Sequence, residues 1–114
     1  MTTVLVDAEN VRRSRWPNLS RRELVDRCRA WAADEGLDLR IVFDGAAPTA
    51  APDLVAGHPS ADDWLAAHAR EHVPYWLVTS DRKLRERAGG DAERIVGGGA
   101  FLELLHPRRR SRDD

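Results

Sequence analysis

The stretch Val4-Leu5-Val6-Asp7 indicates a buried β-strand, because a short run of apolar, mostly β-branched residues ends at a charged one. The same pattern recurs as Leu-Arg-Ile-Val-Phe at residues 39–43 and as Tyr-Trp-Leu-Val-Thr at residues 75–79. Arg-Ile-Val at residues 94–96 is a candidate fourth strand. The sequence therefore predicts a sheet of about four short strands that are spread along the chain.

The segments between the strands carry helical patterns, and helices are predicted at residues 21–35, 61–73, 82–88 and 100–105. Ser20 and Glu23 have the spacing of a capping box, and Gly36 is a stop signal for the longest of these helices. Residues 46–59 contain three prolines and are predicted to be a loop.

Strands that alternate with helices are typical of βαβ units, in which the strands run parallel and the helices cover the sheet. The predicted fold class is α/β, a three-layer sandwich with a parallel sheet and helices on both faces. Residues 1–106 are predicted to form one domain, and residues 107–114, with four arginines, a basic and flexible tail.

Composition excludes several classes of protein. The chain of 114 residues has a net charge of −1, which argues against binding nucleic acid through overall charge. No apolar run is long enough for a membrane helix, and the first residues lack the basic segment of a signal peptide. The single cysteine, Cys28, excludes an intramolecular disulfide framework and a multi-cysteine zinc site. We therefore expect a cytoplasmic protein with no membrane partner.

Acidic residues follow the strands. The three clearest strands each lead to an aspartate, namely Asp7, Asp44 and Asp81, and the pair Asp62-Asp63 opens the helix before the third strand. Because the carboxyl ends of parallel strands meet at one edge of a sheet, these carboxylates are predicted to share a rim. Carboxylates that repel one another need a cation, and oxygen ligands suit Mg²⁺ or Mn²⁺. The chemistry that follows is phosphodiester hydrolysis.

Each aspartate also has a structural explanation. Asp44 precedes Gly45 as in a turn, Asp63 completes a capping motif with Ser60, and Asp81 is placed to cap the next helix. One shared site explains all of these aspartates at once, whereas the alternative requires an independent structural explanation for each. We therefore interpret the aspartates as parts of one shared site.

Five blocks of the sequence resemble the NYN branch of the PIN-like nucleases, and most closely its YacP-type group. These blocks are VLVDAENV at residues 4–11, VFDG at 42–45, SADDW at 60–64, VTSDR at 78–82 and GGA at 98–100. They occur in the family's order and span most of residues 4–105. The resemblance implies a PIN-like fold and a metal-dependent ribonuclease.

The resemblance also implies roles for individual residues. Asp7, Asp63 and Asp81 would be the metal-site carboxylates, Asp62 a further catalytic carboxylate that assists them, and Asn10 a catalytic amide that orients the site. Which of the two adjacent aspartates is the ligand stays open at this point.

Three further residues belong to the predicted rim. Asp44 and Ser80 are expected to line the site, and Ser80 either bonds a phosphate or holds the neighbouring aspartate. The first block reads D-A-E-N where relatives more often have D-G-Y-N, so Glu9 is either an extra ligand or an outward surface charge.

Nucleic acid would be contacted by basic residues beside the acids, and the candidates are Arg12, Arg13, Arg15, Arg82 and Lys83. Of the four tryptophans, only Trp16 is a candidate for base stacking, since the other three have the spacing of core residues.

The sequence thus predicts a ribonuclease dependent on Mg²⁺ or Mn²⁺ that acts on RNA. The alternative is an RNA-binding or interaction module of the same fold with weak or no turnover, and a homodimer or a protein partner is possible in either case. An aspartyl phosphatase is disfavoured, because position 9 is Glu where that chemistry usually has a second Asp.

Overall fold

The structure is a computed structural model that describes residues 1–106. Its five strands are β1 (Thr3–Asp7), β2 (Asp38–Asp44), β3 (Leu54–Gly57), β4 (Tyr75–Val78) and β5 (Arg94–Val96). Its helices are α1 (Ala8–Arg12), α2 (Arg21–Glu35), α3 (Ala61–His68), α4 (Arg82–Ala88) and α5 (Gly98–Leu105), with a 3-10 turn at Ala69–His72. All pairs of neighbouring strands are parallel, in the order β3-β2-β1-β4-β5, which confirms the α/β class.

Local signals account for the longest helix. The Ser20 hydroxyl accepts a hydrogen bond from the Glu23 backbone N–H at 3.0 Å, and the Glu23 carboxylate accepts one from the Ser20 N–H at 3.2 Å. Gly36 ends the helix in the left-handed conformation, with φ of 68°. The helix predicted over residues 21–35 is therefore confirmed at both ends.

Two separate apolar clusters pack around the sheet. Val4 and Val6 of β1 belong to one cluster, which includes residues of α1, α2 and α5. Leu5 belongs to the other, which includes residues of α3 and α4. Because successive side chains of a strand point to opposite faces, this division is compatible with a three-layer sandwich.

The sheet has five strands rather than about four, because β3 lies within the segment predicted to be a loop. Only four residues long, it pairs with residues 41–44 of β2 at the edge of the sheet. A strand this short among prolines has no periodicity of its own, so pairing with β2 determines its conformation.

Two helices also differ from the prediction: α1 was not predicted, and α5 begins earlier than predicted. Helix α1 has five residues and lacks a side-chain cap, so neither periodicity nor capping marks it in the sequence. Helix α5 begins at Gly98, two residues before the predicted start. The predicted tail, residues 107–114, lies outside the described residues.

The topology explains where a site can form. From the central strand β1 the chain adds β2 and β3 on one side and then crosses to β4 and β5 on the other. Parallel sheets bind ligands beyond the carboxyl ends of the strands at such a reversal, which here falls between β1 and β4. Within residues 1–106, no helix combines the length and apolar character that crossing a membrane requires.

Candidate functional site

A cleft of about 670 Å³ opens at the carboxyl edge of the sheet. Four aspartates from separate parts of the chain line it, namely Asp7, Asp44, Asp62 and Asp81. None of the four forms an ion pair within residues 1–106. The structure therefore brings together acids from the ends of β1 and β2 and from the first residues of α3 and the cap of α4.

Asp7 is the buried member of this group. It ends β1 with 4% of its surface exposed, and its Oδ2 accepts a hydrogen bond from the Thr79 hydroxyl at 2.8 Å. Burial raises the pKa of Asp7 from 3.8 to about 6; the Thr79 bond opposes the rise, and repulsion from Asp62, Asp44 and Asp81 adds to it. The ionised form of Asp7 is thus destabilised in the folded chain.

Thr79 is a site residue that the sequence analysis did not single out. It is fully buried, donates to Asp7 and accepts a hydrogen bond from the Asp81 backbone N–H at 3.1 Å. One hydroxyl therefore fixes the carboxylate of β1 relative to the start of α4. The sequence feature that could have identified Thr79 is its position, since it is a hydroxyl residue at the end of an apolar strand and directly precedes Ser80-Asp81.

Asp81 caps the next helix, as its structural explanation predicted, and it also lines the cleft. Its Oδ1 accepts hydrogen bonds from the backbone N–H groups of Lys83 and Leu84, at 2.9 and 3.2 Å, and so caps α4. Its Oδ2 forms no hydrogen bond within residues 1–106. The cap orients the carboxylate and leaves one oxygen toward the cleft for a ligand.

The structure separates Asp62 from Asp63. Asp62 lines the cleft, and burial together with repulsion from Asp81 and Asp44 raises its pKa. The Asp63 carboxylate instead accepts hydrogen bonds from Arg87 at 2.9 Å and from the Ser60 hydroxyl at 3.1 Å, and these bonds lower its pKa.

Asp63 is also absent from the lining of the cleft in the part of the chain that is described. The structure therefore does not bring Asp63 together with Asp7 and Asp81 in the cleft, and Asp62 lies there instead. The cause is the contact with Arg87 of α4, which draws the Asp63 side chain away from the cleft.

Asp44 and Ser80 line the cleft as expected. One oxygen of Asp44 accepts a hydrogen bond from the Ala61 backbone N–H at 2.7 Å, which ties the end of β2 to the start of α3. The Ser80 hydroxyl accepts a hydrogen bond from the Gly98 N–H at 2.8 Å, so it holds the start of α5 beside the end of β4.

Asn10 also faces the cleft and connects two of its walls. Its Oδ1 accepts a hydrogen bond from the Ser80 backbone N–H at 2.8 Å, and its carbonyl oxygen accepts one from the Ser14 hydroxyl at 2.8 Å. The amide thus orients the turn that carries Ser80.

Glu9 also lines the cleft, but it is not an outward charge, because it is buried and paired with arginines. Only 6% of its surface is exposed, and its carboxylate lies 2.9 Å from Arg21, 3.1 Å from Arg12 and 3.5 Å from Arg13. Burial acts to raise its pKa, but the hydrogen bonds from Arg21 and Arg12 outweigh that effect and lower it. No local pattern predicts these partners, because one of them, Arg21, lies twelve residues away.

The basic residues proposed to contact nucleic acid fall into two groups. Arg12 is engaged by Glu9 and the Leu19 carbonyl, and Arg15 by Glu103 and the Gly99 carbonyl. The remaining candidates, Arg13, Arg82 and Lys83, are exposed, and Arg13 in addition lies 3.5 Å from the Glu9 carboxylate. Of these, Arg13 lines the cleft itself.

The donor set of the cleft suits a hard cation, although it is not assembled as a metal centre. Within residues 1–106 no three acidic, histidine or cysteine side chains are grouped closely enough to hold a metal ion. Asp7, Asp44 and Asp81 each direct one oxygen to a neutral protein donor, and the other oxygen forms no hydrogen bond within the described residues. Oxygen ligands oriented in this way fit Mg²⁺ or Mn²⁺ chemically.

Chemically, the cleft offers unneutralised carboxylates next to exposed basic side chains and is open to solvent. Such an arrangement can bind a cation and, through it, an anion such as phosphate. Comparison of the chain with protein-family models, with curated proteins and with solved structures finds no match.

Proposed function

We propose that the chain is a metal-dependent ribonuclease of the PIN-like, NYN kind that its sequence resembles, and that it hydrolyses RNA phosphodiester bonds in the cytoplasm. One observation carries the proposal: four aspartates that form no ion pair within residues 1–106 meet in one cleft. Two unit charges 4 Å apart repel by about 4 kcal/mol at an effective dielectric of 20. A chain that keeps such a cluster unneutralised loses stability, and a functional cation accounts for that loss.

The residues suited to hold Mg²⁺ or Mn²⁺ are Asp7, Asp62 and Asp81, with Asp44 beside them. A metal bound there would lower the pKa of a bound water and neutralise charge on the phosphate. Thr79 connects the Asp7 carboxylate to the start of α4, where Asp81 also lines the cleft. These residues orient one another through neutral donors, which leaves their negative charge available.

The exposed basic side chains beside the cleft are proposed to bind the RNA backbone. Arg13 at the rim, and Arg82 and Lys83 in the first turn of α4, can contact phosphates that flank the one being cleaved. In hydrolysis the oxygen of water forms a bond to phosphorus while the bond from phosphorus to the leaving sugar oxygen breaks. Because the cleft is open, solvent can supply the proton to that leaving oxygen.

The adjacent aspartates provide a matched test. We expect Asp62→Asn to lower RNA cleavage in Mn²⁺ or Mg²⁺ by at least about 100-fold, because it removes a charge from the cleft. Asp63→Asn removes the same charge one residue away and breaks only the surface pair with Arg87, so it should leave the rate within about 3-fold.

Cleavage of a labelled single-stranded RNA, with metal and with chelator, measures both variants. Asp7→Asn and Asp81→Asn are also expected to lose cleavage, because each removes a proposed metal-binding carboxylate. If Asp63→Asn abolishes cleavage and Asp62→Asn does not, the ligand set is wrong. Cleavage that persists in chelator, or in Asp7→Asn and Asp81→Asn alike, rejects the metal-dependent mechanism.

A second candidate is an RNA-binding or interaction module without turnover, working alone, as a homodimer or with a protein partner. The observation that favours it is the absence of a preassembled group of three metal ligands within residues 1–106. This function predicts retention of RNA in chelator and no cleavage in any metal, with equal retention by the wild type and Asp62→Asn.

A further inference from the structure

Trp16 differs from the other tryptophans of the chain in its surroundings. It is 88% exposed, although a tryptophan side chain usually gains free energy from burial. Trp31 packs against Trp76 with 6.0 Å between ring centroids, and Trp64 packs against His68 at 4.8 Å. Only Trp16 therefore offers an unoccupied aromatic face to solvent.

The loop that carries Trp16 is tied to the rest of the domain on both sides. The Arg12 guanidinium donates a hydrogen bond to the Leu19 carbonyl at 2.8 Å, and the Leu19 N–H donates one to the Arg12 carbonyl at 3.2 Å. Arg15 forms an ion pair with Glu103 of α5 at 2.7 Å. The indole is thus presented by an anchored segment.

This loop forms one rim of the acidic cleft. Arg13 and Ser14, which lie three and two residues before Trp16, both line the cleft, and so does Gly99 at the start of α5. Arg15 donates a hydrogen bond to the Gly99 carbonyl at 3.4 Å. Trp16 therefore follows the residues that line the cleft by two positions, with the exposed Arg13 on the same segment.

From these observations we infer that Trp16 is a base-stacking residue that binds single-stranded RNA next to the cleft. The inference rests on the proposed function for the placement of RNA there, and it names the substrate class as unpaired strands. An indole can stack on any base that is not already stacked in a duplex.

Charge explains why the chain would need such a residue. The net charge of −1 and the four aspartates of the cleft give a polyanion little electrostatic attraction before a cation binds. Stacking does not depend on the charge of the backbone. Arg13 contributes a single phosphate contact beside the stacked base.

The test measures RNA binding separately from cleavage. A fluorescently labelled uridine oligonucleotide and a duplex RNA of the same length are titrated with the protein in chelator, and anisotropy reports the affinity. Trp16→Ala should weaken binding of the single strand by about 5- to 150-fold. Trp16→Phe, which keeps an aromatic face, should retain most of the affinity.

Val73→Ala is the matched control, because Val73 is also an exposed apolar residue, 58% exposed, and lies in the segment that follows α3. It should leave binding unchanged. The duplex should bind equally to all variants, since its bases are already stacked. Equal affinity of the wild type and Trp16→Ala for the single strand, or no binding by the wild type, overturns the inference.

The two proposals fail in different ways. If metal-dependent cleavage occurs but Trp16→Ala changes neither binding nor KM, the ribonuclease proposal stands and the stacking inference fails. If Trp16→Ala loses binding and no metal supports cleavage, the stacking inference stands and the ribonuclease proposal fails. A change in sedimentation mass in Trp16→Ala with unchanged RNA affinity assigns the residue to an interface between copies and also overturns the inference.

Discussion

Replacing Asp7 with asparagine is expected to stabilise the chain at neutral pH while removing the proposed activity. Burial and the neighbouring carboxylates raise the pKa of Asp7 from 3.8 to about 6. The difference of about 2 pH units makes the ionised side chain about 3 kcal/mol less favourable in the folded state than in the unfolded one. Asparagine has the same shape, no charge and an oxygen that can still accept the Thr79 hydrogen bond.

The sign of the pH dependence follows from the raised pKa. Below about pH 3 the carboxyl group of Asp7 is protonated in both states and carries no penalty, because both pKa values lie above that pH. As the pH rises to about 6, the unfolded chain ionises first and is favoured, and above about pH 7 the full penalty applies. The free energy of unfolding of the wild type should therefore fall relative to Asp7→Asn by up to about 3 kcal/mol over this range.

Urea unfolding of both proteins in chelator, at several pH values across this range, measures the difference. Asp34→Asn is the matched control, because Asp34 is exposed and forms no ion pair in the described part of the chain. Its difference from the wild type should stay within about 0.5 kcal/mol. If the difference between the wild type and Asp7→Asn does not change with pH, Asp7 is not a carboxylate destabilised by its surroundings and the reasoning fails.

Three other substitutions test the packing that supports the site, each by urea unfolding. Gly57→Ala should cost about 1–3 kcal/mol, because its Cβ would meet the Phe43 carbonyl oxygen at 2.6 Å, whereas Gly90→Ala enters open space and should be nearly neutral. Ser20→Ala removes the capping box and should cost about 1 kcal/mol. Tyr75→Phe leaves a buried helix carbonyl without its donor and should cost about 1–2 kcal/mol.

The elements that could be predicted are those with their signals in nearby residues. Helix α2 has a capping box at one end and a left-handed glycine at the other, so both ends follow from the sequence. Strand β3 and helix α1 have neither, being four and five residues long. Their conformation depends on pairing with β2 and on contacts with distant parts of the chain, which a local pattern does not contain.

The candidate site divides in the same way. Asp7 and Asp44 were predictable as neighbours, because the parallel arrangement alone brings strand ends to one edge. Which of Asp62 and Asp63 lines the cleft could not be predicted, because it depends on Arg87. This arginine lies 24 residues after Asp63 and donates a hydrogen bond to its carboxylate. Side chains that meet only in the folded chain leave no periodic trace in the sequence.

Asp7 and Glu9, two residues apart, show how the fold assigns different tasks to neighbouring carboxylates. Both are nearly buried, yet Glu9 is neutralised by three arginines while Asp7 receives only a neutral hydroxyl donor. The pKa of Glu9 is lowered and that of Asp7 is raised. Within residues 1–106 no cation forms an ion pair with Asp7, whereas arginines from α1, its C-cap and α2 all contact Glu9. The charge of Glu9 is used in ion pairs with α1 and α2, whereas the charge of Asp7 is not neutralised by a described side chain and can act on a bound ligand.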